Sequence, residues 1–130
     1  MIPVSKIKET CLYVEDLHKT KEFYNGKIGL PLISLVENSH VFFRAGTSVL
    51  LCFLAEKSSE QTTLPKHYGK GHIHFAFEVE SKDYEKCKVR ILELEIKIEQ
   101  EQKWPNNKLS FYFRDPDNHL VEIVEVGLWD

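Results

Sequence analysis

The feature that most constrains this chain is an internal repeat. Residues 7–16 resemble residues 72–81, and each of these segments opens one half of the chain. Further along each half, the aromatic run 41–46 resembles residues 111–116, with an arginine near its end. A repeat of this kind is typical of a chain built from two copies of one supersecondary unit. The sequence therefore predicts two modules with the same order of elements.

The elements of the two halves are predicted in the same order. Residues 7–14 divide into two sets of alternate positions, a period of two that predicts a strand, and Asp16 is placed to cap a helix that ends at Gly29. In the second half, a strand over 72–79 precedes a helix that Ser81 would cap. The remaining strands are predicted at 31–36, 40–44, 48–54, 96–102, 108–114 and 119–126.

The predicted fold class is α+β, with two βαβββ modules in one chain. The chain is interpreted as a single domain over 1–130, with modules at about 1–58 and 70–130 and a polar linker at about 56–71. One helix covers only one face of a four-stranded mixed sheet, so the other face needs a partner or a ligand. Two modules that paired with these faces together would form a cleft lined by curved mixed sheets.

Length, charge and cysteine content exclude several classes of protein. A chain of 130 residues is long enough to bury one core, and its net charge of −3 argues against a protein that binds nucleic acid through phosphate contacts. The longest apolar run, 49–55, is too short to span a bilayer, and the N-terminus lacks the apolar core of a signal peptide. Cys11, Cys52 and Cys87 lie in apolar contexts, which is typical of reduced thiols. We expect a cytoplasmic protein.

Four stretches of the chain resemble one known superfamily. The most specific motifs are Phe-Tyr-x-x-x-x-Gly-Leu, beginning at Phe23, and Asp-Pro-Asp-Asn-x-Leu-x-Glu, which ends at Glu122. The chain resembles the vicinal-oxygen-chelate superfamily of glyoxalase I, fosfomycin-resistance proteins, bleomycin-resistance proteins and extradiol dioxygenases. The four stretches are 7–17, 22–30, 71–79 and 111–123, so the resemblance covers nearly the whole chain.

The resemblance implies a metal site on the first and fourth strands of each module. Carried over by position, its ligands are Glu9, Leu51, His74 and Glu122. The first ligand is usually His or Gln, so Glu9 departs from the pattern but can still bind a metal, whereas Leu51 cannot. The implied site is therefore Glu9, His74 and Glu122 around a divalent ion such as Mn, Ni, Zn or Fe. Glu122 is also the predicted catalytic residue.

Strand parity provides a separate argument about these residues. Glu122 shares a strand face with Leu120 and Val124, and a carboxylate among aliphatic side chains needs a partner, a metal or a proton. By the same parity His74 falls on a polar strand face, where an ordinary solvated histidine is the alternative. A solvated glutamate is likewise the alternative for Glu9.

Further candidate residues are predicted to line the cleft. Cys11 and Tyr13 share the strand face of Glu9, and Trp104 lies in a loop where it would line the pocket or act as a packing lid. Nothing near Cys11 in the sequence would lower its pKa, which argues against a nucleophile. His119 follows a turn and is expected to be exposed.

Two functions remain open at this point. The first is a divalent-metal-dependent enzyme of the lyase, isomerase or small-molecule-modifying transferase type, which acts on a small polar metabolite or antibiotic. The second is a metal-free protein that sequesters a drug or metabolite, which Leu51 favours. Glu9 in place of a histidine makes the dioxygenase reaction less consistent with the sequence. We expect a small-molecule ligand and a homodimer, and neither a nucleic acid nor a membrane as partner.

Overall fold

Each half of the repeated sequence forms its own four-stranded sheet in the computed structural model, which describes residues 1–130. The backbone separates into two units, Met1–Lys70 and Gly71–Asp130, called unit 1 and unit 2 below. In both sheets the first strand lies beside the fourth, followed by the third and the second. The predicted α+β class with two βαβββ modules is confirmed.

Unit 1 begins with the strand and capped helix that its sequence predicts. Its elements are β1 (Glu9–Val14), helix α1 (Leu17–Lys21) continued by the π-helical turn Glu22–Lys27, β2 (Leu32–Val36), β3 (His40–Ala45), β4 (Ser48–Leu54) and helix α2 (Ala55–Ser58). The Asp16 carboxylate accepts a hydrogen bond of 3.0 Å from the backbone N–H of Lys19, as expected of an N-cap. After the helix, Gly29 adopts a φ of 90°, which suits glycine.

Unit 2 repeats this order with one difference at its helix. Its elements are β5 (His74–Val79), a 3-10 turn (Ser81–Asp83), helix α3 (Tyr84–Glu93), β6 (Gln100–Lys103), β7 (Leu109–Arg114) and β8 (Leu120–Glu125). The prediction that Ser81 caps the helix is wrong, because its hydroxyl donates instead to the Glu125 carboxylate at 3.1 Å. Ser81 lies inside the 3-10 turn, and Asp83 instead holds the N-cap position of α3, without a side-chain cap hydrogen bond.

In both units the sheet face that carries the core is closely packed. From unit 1, Val41, Phe43 and Leu50 are buried, and the ring of Tyr24 brings the helical segment against Phe43 at 5.7 Å between centroids. The corresponding buried residues of unit 2 are Phe111, Phe113, Val121 and Ile123. Burial of one such side chain stabilises the fold by about 1.5–3 kcal/mol. The opposite face of each sheet is half-buried or exposed, apart from the buried Ser110, Glu122 and Val124 of unit 2, and the candidate site residues lie there.

The segment after β4, predicted as a linker, returns to the sheet of unit 1. Ser58 donates a hydrogen bond of 2.5 Å to the carbonyl oxygen of His67, and His67 Nδ1 shares a hydrogen bond of 2.8 Å with the Tyr13 hydroxyl. Gly69 lies so close to the Tyr13 ring that a Cβ atom there would be 2.5 Å from two ring carbons. Only glycine allows this approach. None of the helices has the length and hydrophobicity to cross a membrane.

Candidate functional site

Strand pairing sets the equivalent positions of the two units. In unit 1, Cys11 pairs with Leu51 across the parallel strands β1 and β4. In unit 2, Ala76 pairs with Glu122 across β5 and β8. Leu51 and Glu122 therefore occupy the same position of the repeated sheet, one as an aliphatic side chain and the other as a carboxylate.

His74 and Glu122 meet on the sheet of unit 2. The Nε2 atom of His74 lies 3.4 Å from Oε1 of Glu122. The Glu122 side chain is 8% exposed because β8 is an inner strand, whereas the His74 side chain is 50% exposed on the edge strand β5. A carboxylate buried to this extent needs compensation, and the imidazole of His74 lies within ion-pair distance of it.

The orientation of the His74 ring is held by the backbone. Its Nδ1 atom is 3.0 Å from the carbonyl oxygen of Leu120. A carbonyl oxygen only accepts, so Nδ1 carries a hydrogen, and Nε2 is the nitrogen that faces Glu122. When the ring is neutral, the Nε2 lone pair and the carboxylate oxygen face each other, and a proton or a cation is required to make that arrangement favourable. Metal-binding histidines are commonly oriented by such a hydrogen bond on the other nitrogen.

Glu9 lies in unit 1, at the exposed start of β1. It stands at the position equivalent to His74, because Glu9 lies two residues before the partner of Leu51 and His74 lies two residues before the partner of Glu122. Its side chain makes no hydrogen bond or ion pair. No three His, Cys, Asp or Glu side chains within either unit form a group that could hold a metal.

His119 is buried, contrary to the expectation that it is exposed. Its side chain is 1% exposed, and Nδ1 accepts a hydrogen bond of 2.9 Å from the backbone N–H of Ile73. The backbone N–H of His119 donates to the carboxylate of Asp115 at 2.8 Å. The turn before His119 reverses through Asn118, at a φ of 67°, and brings the ring against the residue that precedes His74. His119 thus orders the start of the strand that carries His74.

Trp104 lies on a second part of unit 2. Its indole N–H donates to the Ser110 hydroxyl at 3.0 Å, and the ring helps to line a pocket of about 430 Å³. The lining residues are Glu99, Gln100, Gln102, Trp104, Tyr112, Arg114 and Leu120. Tyr112 also pairs with Glu122 across β7 and β8. The ring centroids of Tyr112 and His74 are 6.1 Å apart. This pocket therefore adjoins the His74 and Glu122 pair.

Cys11 lines a larger pocket of about 560 Å³ in unit 1. Burial, and then the negative charge of Glu9, raise the pKa of the Cys11 thiol above its ordinary value. The thiol is therefore protonated at neutral pH, which does not suit a nucleophile. Tyr13 is not among the residues that line this pocket; its hydroxyl is bound to His67, which does line it.

Sequence reasoning missed the aromatic residues of this pocket. Phe42 and Phe53 lie on the lining, and the imidazole of His40 stacks on Phe42 at 3.9 Å with the ring planes 12° apart. Burial lowers the pKa of His40, so this ring is neutral at neutral pH. Strand parity applied to 40–44 and 48–54 would have placed these three residues on the face away from the helix, as it did in unit 2.

Comparisons with known proteins agree with this architecture. The family model of the Glyoxalase/Bleomycin resistance protein/Dioxygenase superfamily matches residues 6–123. The structure is similar to that of lactoylglutathione lyase from Agrobacterium tumefaciens, with a TM-score of 0.93, 36% identity and 98% of each chain covered.

Two relatives are each 28% identical in sequence. Protein YraH of Bacillus subtilis aligns over 129 residues, which is 93% of this chain and 98% of the relative. Glutathione transferase FosA of Serratia marcescens aligns over 120 residues, which is 92% of this chain and 80% of the relative. With a family model that spans nearly all of both units, the chain belongs to the glyoxalase/bleomycin resistance protein/dioxygenase superfamily.

Proposed function

We propose that this protein is a divalent-metal-dependent enzyme of the lyase, isomerase or small-molecule-modifying transferase type. Its substrate would be a small polar metabolite or antibiotic. The observation that carries the proposal is the buried Glu122 carboxylate 3.4 Å from His74 Nε2, with the imidazole oriented by the Leu120 carbonyl. Similarity to a lactoylglutathione lyase and to a glutathione transferase supports the same class of function.

The donor atoms of this pair fit a divalent transition metal. One imidazole nitrogen and one carboxylate are ligands that suit Mn, Fe, Ni and Zn. When bound, such an ion polarises a substrate oxygen and stabilises the negative charge that develops on it. Glu9, in unit 1, stays the predicted third ligand, and its substitution by alanine, which removes the donor atoms, tests that role.

Glu122 is the proposed catalytic residue, because its carboxylate has two oxygens with separate uses. One oxygen is available as a ligand, while the other can accept a proton from the substrate. The buried position keeps water away from this carboxylate, and His74 is open to solvent on its other side. His119 would act as a positioning residue, since its hydrogen bond to Ile73 holds the start of β5.

A metal-free binding protein is the second candidate. Leu51, which cannot bind a metal, stands at the position equivalent to Glu122 and lines the apolar pocket of unit 1. A protein of this type would hold its ligand without changing it. The metal dependence of folding stability separates the two candidates.

The experiment is thermal unfolding of protein purified without an affinity metal, in EDTA and with Mn, Ni or Zn. We expect wild type to gain about 4 kcal/mol at a metal concentration a thousandfold above Kd. His74→Ala and Glu122→Gln should lose this gain. The matched control, Glu78→Gln, changes an exposed glutamate on the same face of β5 and should retain it. If wild type melts at the same temperature in EDTA and with every metal, the binding-protein candidate replaces the enzyme.

The predicted homodimer stays part of this proposal, as does the cytoplasmic location. Strand β2 lies at the edge of its sheet and exposes Leu32, Ile33 and Val36. Exposed apolar side chains on an edge strand are surface that a second chain would cover.

A further inference from the structure

We infer that the pocket of unit 1 binds the flat, apolar part of a small organic molecule, an aromatic ring or a fused pair of rings, beneath a roof formed by residues 59–69. The inference deepens the proposed function by naming a chemical class of substrate. It rests on that function only in calling the ligand a substrate, because the pocket is built entirely from unit 1.

The floor of the pocket is a row of uncharged side chains on the sheet. Strand register aligns Cys11, Leu51 and Phe42 across β1, β4 and β3. The next row along these strands ends in Phe53 and His40, the latter neutral because burial lowers its pKa. An apolar group placed on this floor leaves water without displacing any charge.

Aromatic rings surround the pocket at several angles. Phe42 and Phe53 meet edge to face, with centroids 5.3 Å apart and planes at 70°. Phe53 and His67 do the same at 4.5 Å and 72°. Ring edges carry partial positive charge and ring faces partial negative charge, so a flat aromatic ligand finds complementary surfaces here that a saturated ligand cannot use.

The roof is a built feature of the structure. His67 is held by the Tyr13 hydroxyl and by Ser58, and Gly69 lies directly against the Tyr13 ring. Leu64 and Pro65, between these anchor points, complete the apolar lining. A flat ligand therefore has a sheet on one side and an anchored chain segment on the other.

The size and charges of the pocket set limits on the ligand. Its volume of about 560 Å³ is within the range typical of small-molecule sites. Along β1, the distance from Glu9 to Tyr13 is roughly 13 Å at a rise of about 3.3 Å per residue. The charged lining residues are Glu9, at the start of β1, and Lys57, which pairs with Glu60 at 3.7 Å. The polar part of the ligand is thus expected at the end of the pocket near Glu9, and the apolar part under the roof.

The test uses β-naphthol as a flat, neutral probe and decahydro-β-naphthol as a saturated probe with the same carbon skeleton. Isotope-labelled leucine methyl groups report binding by NMR. The signals of Leu51 and Leu64 should shift in a saturable way, whereas those of Leu92 and Leu128 in unit 2 should not. We expect the flat probe to bind roughly 2- to 10-fold more tightly than the saturated one.

Two variants sharpen the result. Phe42→Leu keeps an apolar side chain but removes the ring, and should weaken β-naphthol roughly 2- to 10-fold while leaving the saturated probe unchanged. Phe77→Leu is the matched control, because Phe77 makes a similar edge-to-face pair with Phe75 in unit 2. His67→Ala removes the ring from the roof and should also weaken the flat probe, should Phe42→Leu fail to fold.

Unmoved Leu51 and Leu64 signals up to the solubility limit of β-naphthol would overturn the inference. Equal affinity for the two probes would overturn it as well. A protein that binds β-naphthol but no metal keeps this inference and contradicts the proposed enzyme. A protein that is stabilised by metal but does not bind β-naphthol contradicts this inference alone.

Discussion

Units 1 and 2 share their strand order and register, yet the sheet faces turned away from the helices differ in chemistry. At one equivalent position unit 1 has Leu51 and unit 2 has Glu122; at another, unit 1 has Glu9 and unit 2 has His74. The face of unit 1 is an aromatic pocket, whereas that of unit 2 carries an imidazole and a buried carboxylate. The comparison teaches that one fold can carry an apolar, aromatic face on one half and an ionisable pair on the other.

The helix-facing sides of the sheets have diverged much less. Phe43 and Phe113 occupy equivalent positions in the repeat, and both are 0% exposed. Closely packed positions tolerate few changes in volume or polarity, because a cavity or an unpaired polar group costs free energy. Half-exposed positions such as those of Cys11 and Leu51 carry a smaller penalty, so side chains there are freer to change.

The largest expected effect tests the symmetry of the two cores. Phe43→Ala and Phe113→Ala should each lower the free energy of unfolding by about 3–5 kcal/mol, because each leaves a cavity at a fully buried site. Urea unfolding measures both. Val89→Ala, at an exposed position of helix α3, is the control and should change stability by less than about 0.5 kcal/mol. A cost below roughly 1 kcal/mol in one unit would show that the two cores are not equivalent.

A second, smaller effect tests the roof of unit 1. Gly69→Ala should lower the free energy of unfolding by about 1–3 kcal/mol, because the new methyl group would overlap the Tyr13 ring. Gly26→Ala is the matched control, since its Cβ would lie 3.8 Å from the nearest atom, at an ordinary contact distance. Urea unfolding measures the free energy of unfolding of both variants and of wild type. Equal stability of the two would mean that the roof does not press on Tyr13.

The smallest effect concerns pH and the aromatic floor. Burial lowers the pKa of His40 in the folded chain below its unfolded value of about 6.5. The unfolded chain therefore binds more protons as pH falls through that value, and folding stability is lost below about pH 6.5. His40→Gln should remove this part of the pH dependence, so wild type should lose more stability than the variant between neutral and mildly acidic pH. If wild type and His40→Gln lose the same stability between the two pH values, the buried His40 is not the cause of this pH dependence.

Part of the candidate site follows from the sequence alone. Alternation over the strands placed His74 and Glu122 on the face away from the helix, and the repeat aligned Leu51 with Glu122. These inferences succeed because strand parity and helix capping depend on residues close together in the chain. The Asp16 cap and the turn at Asn118 are of the same local kind.

Other features were decided only by tertiary structure. The burial of His119 depends on its hydrogen bond to Ile73, and the tautomer of His74 depends on the Leu120 carbonyl, both across neighbouring strands. The roof depends on contacts of His67 with Tyr13. Sequence alone determined the two βαβββ units and their faces, because period and spacing are local properties. Partners brought together from distant parts of the chain are set by strand pairing and close packing, and those exist only in the folded protein.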